Sequence, residues 1–287
     1  MKATTKSPRV SVLTPIYNTN PAHLREMIES ILAQTFTDFE FLILNDSPNN
    51  KEIEKIVLQY AKKDTRIKYS KNTKNMGITP SRNKLLKMAR GEYLAIFDHD
   101  DISVPDRLEQ QVAYLDANPH IGVVSGWLEY FGDKHFIKKT YEKDSDIRIL
   151  LSDHCAVMHT AAMILKSVLV DNNIEYDEKY TPNEDQWLWV CLMEVTRFYN
   201  IQKVLVKYRW YNNNTSKTQL AKMCENYDRI QEYMSAKYPS LRKQFEQNYN
   251  RGTRFRFRLF GIIPLLKIKH NWVYLFEFIP VFKLRWK

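Results

Sequence analysis

The sequence predicts an α/β fold: a mainly parallel sheet with helices on both faces, closing on a basic, helical C-terminal tail. Three observations predict it. Short β-rich runs alternate with helix-period segments through the first hundred residues. Each strand of that series ends in a polar loop, where open α/β sheets bind ligands. The excess positive charge is confined to the last forty or so residues, apart from the balanced remainder.

The elements follow in order. "RVSVLT" (9–14) reads as the first strand. Pro21 opens a helix in which Leu24, Met27, Ile28, Ile31 and Leu32 recur at helical spacing. "FEFLILN" (39–45) is a second strand and "NKEIEKIVLQYAKK" (50–63) a second helix. "RIKYS" (66–70), a helix near 79–89 and "EYLAIF" (92–97) continue the series. A helix is expected after Ser103 to about Ala117, with Leu108, Val112 and Leu115 inward. Residues 121–140 read as a hairpin. A helix begins near Glu184, and "KVLVKYRW" is a strand. An amphipathic helix over 214–238 is expected, capped by Thr215 or Ser216. Segments 259–269 and 275–285 repeat with a period of 16 and are read as two similar surface elements.

The length of 287 residues allows one large domain or two small ones. No stretch of 18 uncharged apolar residues occurs, so no membrane-spanning helix is expected. The first ten residues hold no apolar run, so no signal peptide is expected. Cys155, Cys191 and Cys224 are far apart and odd in number, which predicts buried thiols in a reducing compartment rather than a disulfide scaffold. Of the net charge of +10, residues 250–287 carry +8, interleaved with aromatics. That composition points to an anionic surface.

One stretch carries the chemistry. In "LAIFDHDDISVPDRL" (94–108) an apolar strand runs into Asp98, Asp100 and Asp101, carboxylates close enough to resist ionising together. Asp98 and Asp100, two apart in extended chain, would project to one side with backbones about 7 Å apart. They could share a hard divalent cation, which would relieve the repulsion. Asp101 is balanced between a metal ligand and a cap; Asp101 or Ser103 could cap the helix expected at 104. The seven glycines never lie closer than four residues, so neither a G-x-G-x-x-G nor a P-loop is present. A cation on Asp100 and Asp98 could hold phosphates instead.

These residues resemble the inverting family-two glycosyltransferases, enzymes of the Rossmann-like GT-A fold that include bacterial lipooligosaccharide and capsule sugar transferases. "VSVLTPIYN" resembles the family's opening strand and loop. "FEFLILNDSPNN" is similar to its strand ending in two acids, "NMGITPSRN" to its Asn-x-Gly…Arg-Asn element and "FDHDD" to its Asp-x-Asp. "MHTAAMILKSVL" resembles its His-Pro-Thr-x-Met segment, and "YDEKYTPNEDQWLW" carries the Glu-Asp of its acceptor site. "KVLVKYRWYNNNTS" resembles the strand closing the domain. Seven motifs in family order span roughly residues 9–216. Asn45 stands where an acid is usual, Ala161 where a proline is common, and Tyr211 where a His is usual.

The resemblance implies a hexosyl- or N-acetylhexosaminyltransferase using a nucleotide-sugar, expected to be a UDP-sugar, with Mn2+ or Mg2+. The acceptor would be a glycan or glycolipid in bacterial surface polysaccharide or lipooligosaccharide synthesis. Thr14, Pro15, Tyr17, Asn18 and Asp46 would form the base pocket, with Arg82, Asp98 and His99 completing the nucleotide-sugar site. Asp46 would accept from a uracil N–H. Asp100 and Asp98 would hold the metal, with Asp101 or His159 as further candidates. Asp185 would be the general base and Glu184 would orient the acceptor. The plainer readings are turn residues for Pro15 and Asn18, solvation for Arg82, and a charged helix start for Glu184 and Asp185. Of Trp187 and Trp189, on opposite sides of a helix, one is expected in the core and one against a sugar. His154 is a weaker candidate for phosphate or acceptor contact.

The implied organisation is a catalytic domain over 1–216, with a nucleotide-binding half to about 103 and an acceptor half over 104–216. A helical extension (217–250) and the basic tail (251–287) follow. The tail would dock on an anionic membrane at the inner face of the cytoplasmic membrane; the plainer reading is that its aromatics pack on the catalytic domain and its cations are solvated. A sugar nucleotidyltransferase is disfavoured because "TPIYNTN" lacks the usual glycines. Nucleic-acid binding is disfavoured because the charge is confined to the tail.

Overall fold

In this computed structural model, residues 7–211 and 219–249 are described in full, and between 253 and 283 the backbone of four strands is described. The first seven elements are β1 (Val10–Ile16), α1 (Pro21–Leu32), β2 (Phe39–Asn45), α2 (Lys51–Ala61), β3 (Ile67–Lys71), α3 (Ile78–Met88) and β4 (Tyr93–Ile96). They reproduce the expected strand–helix series. Next come β5 (Ile102–Ser103), α4 (Arg107–Ala117), β6 (Ile121–Gly132), β7 (Phe136–Lys138), α5 (Asp144–Leu151), β8 (Met163–Leu165), α6 (Lys166–Asp171), α7 (Glu184–Leu192) and β9 (Arg197–Trp210).

The main sheet runs β3-β2-β1-β4-β8-β6-β9-β5, with β7 paired to β6. Its first four strands are parallel, and Leu13 pairs with both Leu42 and Ile96. That register brings the carboxyl ends of β1, β2 and β4 to one edge. Beyond β4 the sheet is mixed: β8 is antiparallel to β4 and β6, whereas β6 and β9 are parallel. The chain leaves β4 in mid-sheet and reappears as β5 on the far side of β9. The acid loop 98–101 therefore spans the curl of the sheet and is held at both ends.

Helices cover both faces, as the alternating strands require. One core joins Val10, Val12, Phe41 and Ile43 to Leu24, Met27 and Ile28 of α1, Ile53 and Val57 of α2, and Leu108 and Val112 of α4. The other joins Leu13, Leu42, Leu94 and Ile96 to Leu85 of α3, Ile147 of α5 and Leu188 of α7. Two C-terminal helices, Leu220–Lys237 and Pro239–Asn248, add Ile230, Met234 and Phe245 to this second core.

Several local expectations change. The helix expected at 104 begins at Arg107, after a turn, with Asp106 as its cap residue. Neither Asp101 nor Ser103 caps it: Asp101 is fully buried and Ser103 accepts from the Gln34 side chain at 3.1 Å. Arg82 and Asn83 lie in the second turn of α3, because that helix starts at Ile78 on Gly77. Gly77 has φ +90°, the left-handed region open to glycine. Thr215 and Ser216 lie outside the described residues.

The tail is helical only as far as Asn248. Beyond it the backbone forms an antiparallel sheet of β10 (Thr253–Leu259), β11 (Ile263–Lys269), β12 (Trp272–Leu275) and β13 (Ile279–Lys283). The reason lies in "TRFRFRL", which alternates with period two, and in Pro264 and Pro280, which no helix interior accepts. The 16-residue repeat corresponds to β11 and β13, each carrying its proline second. Among the described residues no helix is long and apolar enough to cross a membrane.

Gly91 precedes β4 where a Cβ would stand 2.5 Å from the backbone N of Ser11. Backbone cannot yield as a flexible side chain would. Gly91→Ala is expected to cost about 1–3 kcal/mol of stability in chemical denaturation, without abolishing folding.

Candidate active site

The loop after β1 carries Thr14, Pro15, Tyr17 and Asn18. Tyr17 is half exposed, and Asn18 turns the chain at φ +44°. Asn18 donates its N–H to Ser47 Oγ at 3.0 Å, tying this loop to the loop after β2. Thr14 is buried, and its hydroxyl has no hydrogen-bond partner among the described residues. Asp46 is also buried. It accepts from Asn72 Nδ2 (2.7 Å) and from the backbone N–H groups of Met76 and Gly77 (2.8 Å each). These bonds fix the loop leading into α3.

Arg82 is the hub. Its guanidinium donates to Glu184 Oε1 at 2.5 Å and to Asp98 Oδ1 at 3.2 Å, and it lies 5.6 Å from the centre of the Tyr176 ring. Burial alone would favour the neutral form; Glu184 and Asp98 outweigh it and hold the proton. The rest of that face of α3 binds the same segment. Asn83 clasps the backbone of Tyr176, donating to its carbonyl (2.8 Å) and accepting from its N–H (2.9 Å). Thr79 and Thr181 share a hydroxyl hydrogen bond of 2.6 Å. One helix thus joins the end of β4 to the start of α7.

His159 sits beneath this hub. A hydrogen bond of 2.9 Å links its Nε2 to Tyr176 Oη, and its Nδ1 is 4.0 Å from Asp98 Oδ1. Burial, then the Arg82 charge, pushes its pKa down to about 3, so the ring is neutral. His99 instead faces the first loop, 3.0 Å from Thr19 Oγ1.

The three acids of the loop have separate surroundings. Asp98 and Asp100 are half-buried. Asp100 Oδ2 accepts from Tyr211 Oη at 2.7 Å. Asp101 is enclosed, accepting from Thr160 Oγ1 (2.8 Å) and the N–H of Arg209 (2.9 Å). Burial, and then the charges of Asp100 and Asp98, push its pKa well above the usual carboxylate range. Asp101 therefore ties the loop to β9. Thr160 also accepts from the N–H of Asp98 at 3.2 Å, so one hydroxyl supports both acids.

Among the described residues no three His, Cys, Asp or Glu side chains form a closed ligand set. An open set fits a hard cation better: Mg2+ commonly takes one or two carboxylates and completes its shell with water and substrate phosphates. Asp100 and Asp98 offer such a pair, and their charges already strain Asp101.

Asp185 follows Glu184 in the first turn of α7. Its Oδ1 accepts from the Gln186 N–H at 2.7 Å. Burial, then the charge of Glu184, pushes its pKa up to about 6 against the pull of Arg82. Glu184 itself is buried, and its second oxygen has no hydrogen-bond partner among the described residues. Trp189 is the core tryptophan; Trp187 stacks on Tyr180 at 4.1 Å, in packing rather than in an open platform. His154 lies apart, 3.3 Å from Asp153 and against Phe245.

The structure thus brings Arg82, Asp98, Glu184 and His159 into one network, with Asp185 beside it. Thr14, Pro15, Tyr17, Asn18 and Asp46 border it on the strand-end edge. Sequence reasoning missed Tyr176, Thr160 and Arg209. All three lie inside motifs the sequence shows, and Tyr211 stands out there as a departure from a usual His.

Strand-end loops, an acid turn and a carboxylate pair opening a helix together define an α/β transferase of the GT-A fold. The glycosyl transferase family 2 model matches residues 11–171. The chain belongs to that family and is a glycosyltransferase. It is 36% identical over 221 residues to an uncharacterised glycosyltransferase of Methanocaldococcus jannaschii, covering 75% of each chain. It is 32% identical over 221 residues to one of Haemophilus influenzae, covering 73% of this chain and 68% of that one. Among solved structures, S. aureus TarS 1-349 in complex with UDP superposes with a TM-score of 0.61 at 20% identity, over 83% of this chain and 77% of that one. The Pyrobaculum calidifontis mannosyltransferase PcManGT, in complex with GDP-Man and Mn2+, gives 0.63 at 17% identity, over 86% and 72%.

The raised pKa of Asp185 has a stability consequence. A carboxyl that protonates more readily when folded contributes fully below about pH 4, and its contribution is lost as pH rises through about 6. Asp185→Asn is therefore expected to be more stable than the natural protein by roughly 2 kcal/mol at neutral pH, the gap closing near pH 4. Denaturation at the two pH values checks it; an equal or less stable variant at neutral pH contradicts the assignment.

Proposed function

We propose that this glycosyltransferase is metal-dependent and inverting, moving a hexosyl or N-acetylhexosaminyl group from a UDP-sugar to a hydroxyl of a glycan or glycolipid. The observation that carries this reading is Asp185, with its pKa at about 6, beside the Arg82–Asp98–Glu184 network. A base tuned near the working pH is what proton removal from a hydroxyl needs. Solved relatives of the same fold are complexes with UDP, UDP-GlcNAc or GDP-Man, which supports a nucleotide-sugar donor.

In this reading Tyr17 stacks on the base, and Asp46 accepts a base N–H with its remaining acceptor capacity while holding the loop into α3. Asp98 and His99 face the donor sugar and ribose. Asp100 and Asp98 would hold Mn2+ or Mg2+, which supplies positive charge to the departing diphosphate. Asp185 takes the proton of the acceptor hydroxyl as its oxygen bonds to the anomeric carbon. The bond from that carbon to the phosphate oxygen breaks, the nucleoside diphosphate leaves with the electron pair, and one displacement inverts the centre. Glu184 orients the acceptor. Arg82 fixes Glu184 and Asp98 relative to each other instead of standing free for phosphate.

The acceptor is placed on a membrane, in bacterial surface polysaccharide synthesis, with the enzyme peripheral on the cytoplasmic face. Residues 251–287 support this with nine cationic and nine aromatic side chains. In the tail sheet Arg256 lies in register with Lys267, and Phe257 with Leu266. Each cation near an anionic leaflet contributes about 1 kcal/mol.

The test is release of nucleoside diphosphate from a panel of nucleotide-sugars, with Mn2+ or Mg2+ and with or without acceptor. UDP-sugars should be turned over, and turnover should rise as pH climbs through about 6. Asp185→Asn should lower turnover about a hundredfold or more with donor binding kept. Asp100→Ala should abolish transfer and weaken UDP binding in Mn2+. Normal turnover in Asp100→Ala, or donor affinity lost while turnover holds in Asp185→Asn, contradicts these roles.

A further inference from the structure

The β6–β7 hairpin has an unusual tip. Residues from Gly132 to Lys139 are exposed without a break. Phe136 and Ile137 are 48% and 49% exposed, although consecutive residues of a strand point to opposite faces. A hairpin serving only as part of a sheet would bury one face. Here both faces of the tip carry a large apolar side chain into solvent. Among the described strands β7 pairs with β6 alone, so it is also an edge. Exposed apolar edges invite association unless they have a partner.

The surrounding charge identifies the partner. Lys134, Lys138 and Lys139 flank the two apolar residues, with Asp133 the one acid in the stretch. Lys134 lies 4.6 Å from the Trp210 ring centre and Lys139 4.7 Å from that of Trp127. Phe136 stacks on Tyr130 at 4.3 Å, which stiffens the tip against the body of the protein. Apolar residues ringed by lysines and backed by aromatic rings suit the boundary between acyl chains and anionic headgroups.

The tip of the hairpin connects to the active site through the end of β9. Gly132 pairs with Trp210, and the next residue, Tyr211, bonds to Asp100. We infer that the β6–β7 hairpin is a lipid-insertion finger that seats Phe136 and Ile137 in an anionic membrane surface beside the mouth of the site. It is separate from the basic tail. The inference rests on the membrane-surface part of the proposed function and not on the reaction.

The test uses the full chain and vesicles of phosphatidylcholine with or without phosphatidylglycerol. The natural protein should bind the anionic vesicles. Phe136→Ser/Ile137→Ser should lower that partitioning roughly tenfold or more, with cooperative unfolding kept and only the Phe136–Tyr130 stack lost from the fold. Lys138→Glu should weaken binding to anionic vesicles alone. In Phe136→Trp, brominated acyl chains should quench additional emission relative to the natural protein. If the natural protein binds and the double serine variant binds equally, the finger is overturned while the membrane reading stands. If the natural protein ignores anionic vesicles, both are overturned. Equal binding to neutral vesicles overturns the role of the lysines. A double serine variant that changes oligomeric state without changing vesicle binding shows the tip to be a contact between copies of the chain, which also overturns it.

Discussion

A guanidinium buried between two carboxylates organises the site. Arg82 projects from the second turn of α3, reaching back to Asp98 at the end of β4 and forward to Glu184 at the start of α7. Removing three charges from water is costly, and their mutual attraction returns that cost only when the geometry is close. The arrangement is therefore stringent: displacing any member leaves a buried charge exposed to the others. Asn83 and Thr79 repeat the connection with neutral hydrogen bonds, so α3 is bonded to the 176–181 segment along one whole face. The strand-end loops and the helix that carries Asp185 are held in register by this face.

The acid loop answers to a different constraint. It must leave β4 in mid-sheet and rejoin the sheet at β5, beyond β9. Asp101 accepts from Thr160 and from the backbone of β9, while Asp98 accepts from Arg82 and Asp100 from Tyr211. Three carboxylates in four positions thus divide into one enclosed acid and two half-buried ones with separate partners. The strain of keeping them together falls on Asp101, whose burial and neighbours favour its protonated form. Asp185 shows the same logic at α7, beside Glu184. Both sites carry charge repulsion that burial sharpens.

The strand–helix series from 9 to 96 was legible because each element has its own local signal. "FEFLILN" and the 3.6-residue spacing of Leu24, Met27, Ile28 and Ile31 mark their elements without help from tertiary structure. The placement of the candidate residues was legible where a motif coincides with a strand end, as at Asp98 and Asp100, or with a helix start, as at Glu184 and Asp185. What stayed hidden depends on long-range pairing. Asp101 meets Arg209 only because β5 joins β9, and no local pattern distinguishes that from a helix cap. Tyr176 and Thr160 carry no charge and belong to no periodic run; their importance comes from a histidine and two acids far along the chain. A helical tail is expected, whereas the backbone beyond residue 252 forms strands, in keeping with the alternation in "TRFRFRL" and the two prolines.

The claim that Arg82 holds the two halves of the site together is tested most directly by a double-mutant cycle in unfolding free energy, using Arg82→Met, Glu184→Gln and the two combined. Arg82→Met alone should be strongly destabilising, because it strands the Glu184 carboxylate in a buried site. The combined variant should recover part of that loss, giving a coupling of about 1–3 kcal/mol. Single losses that add to within about 0.5 kcal/mol would show that the pair does not act as a unit, and would contradict the account.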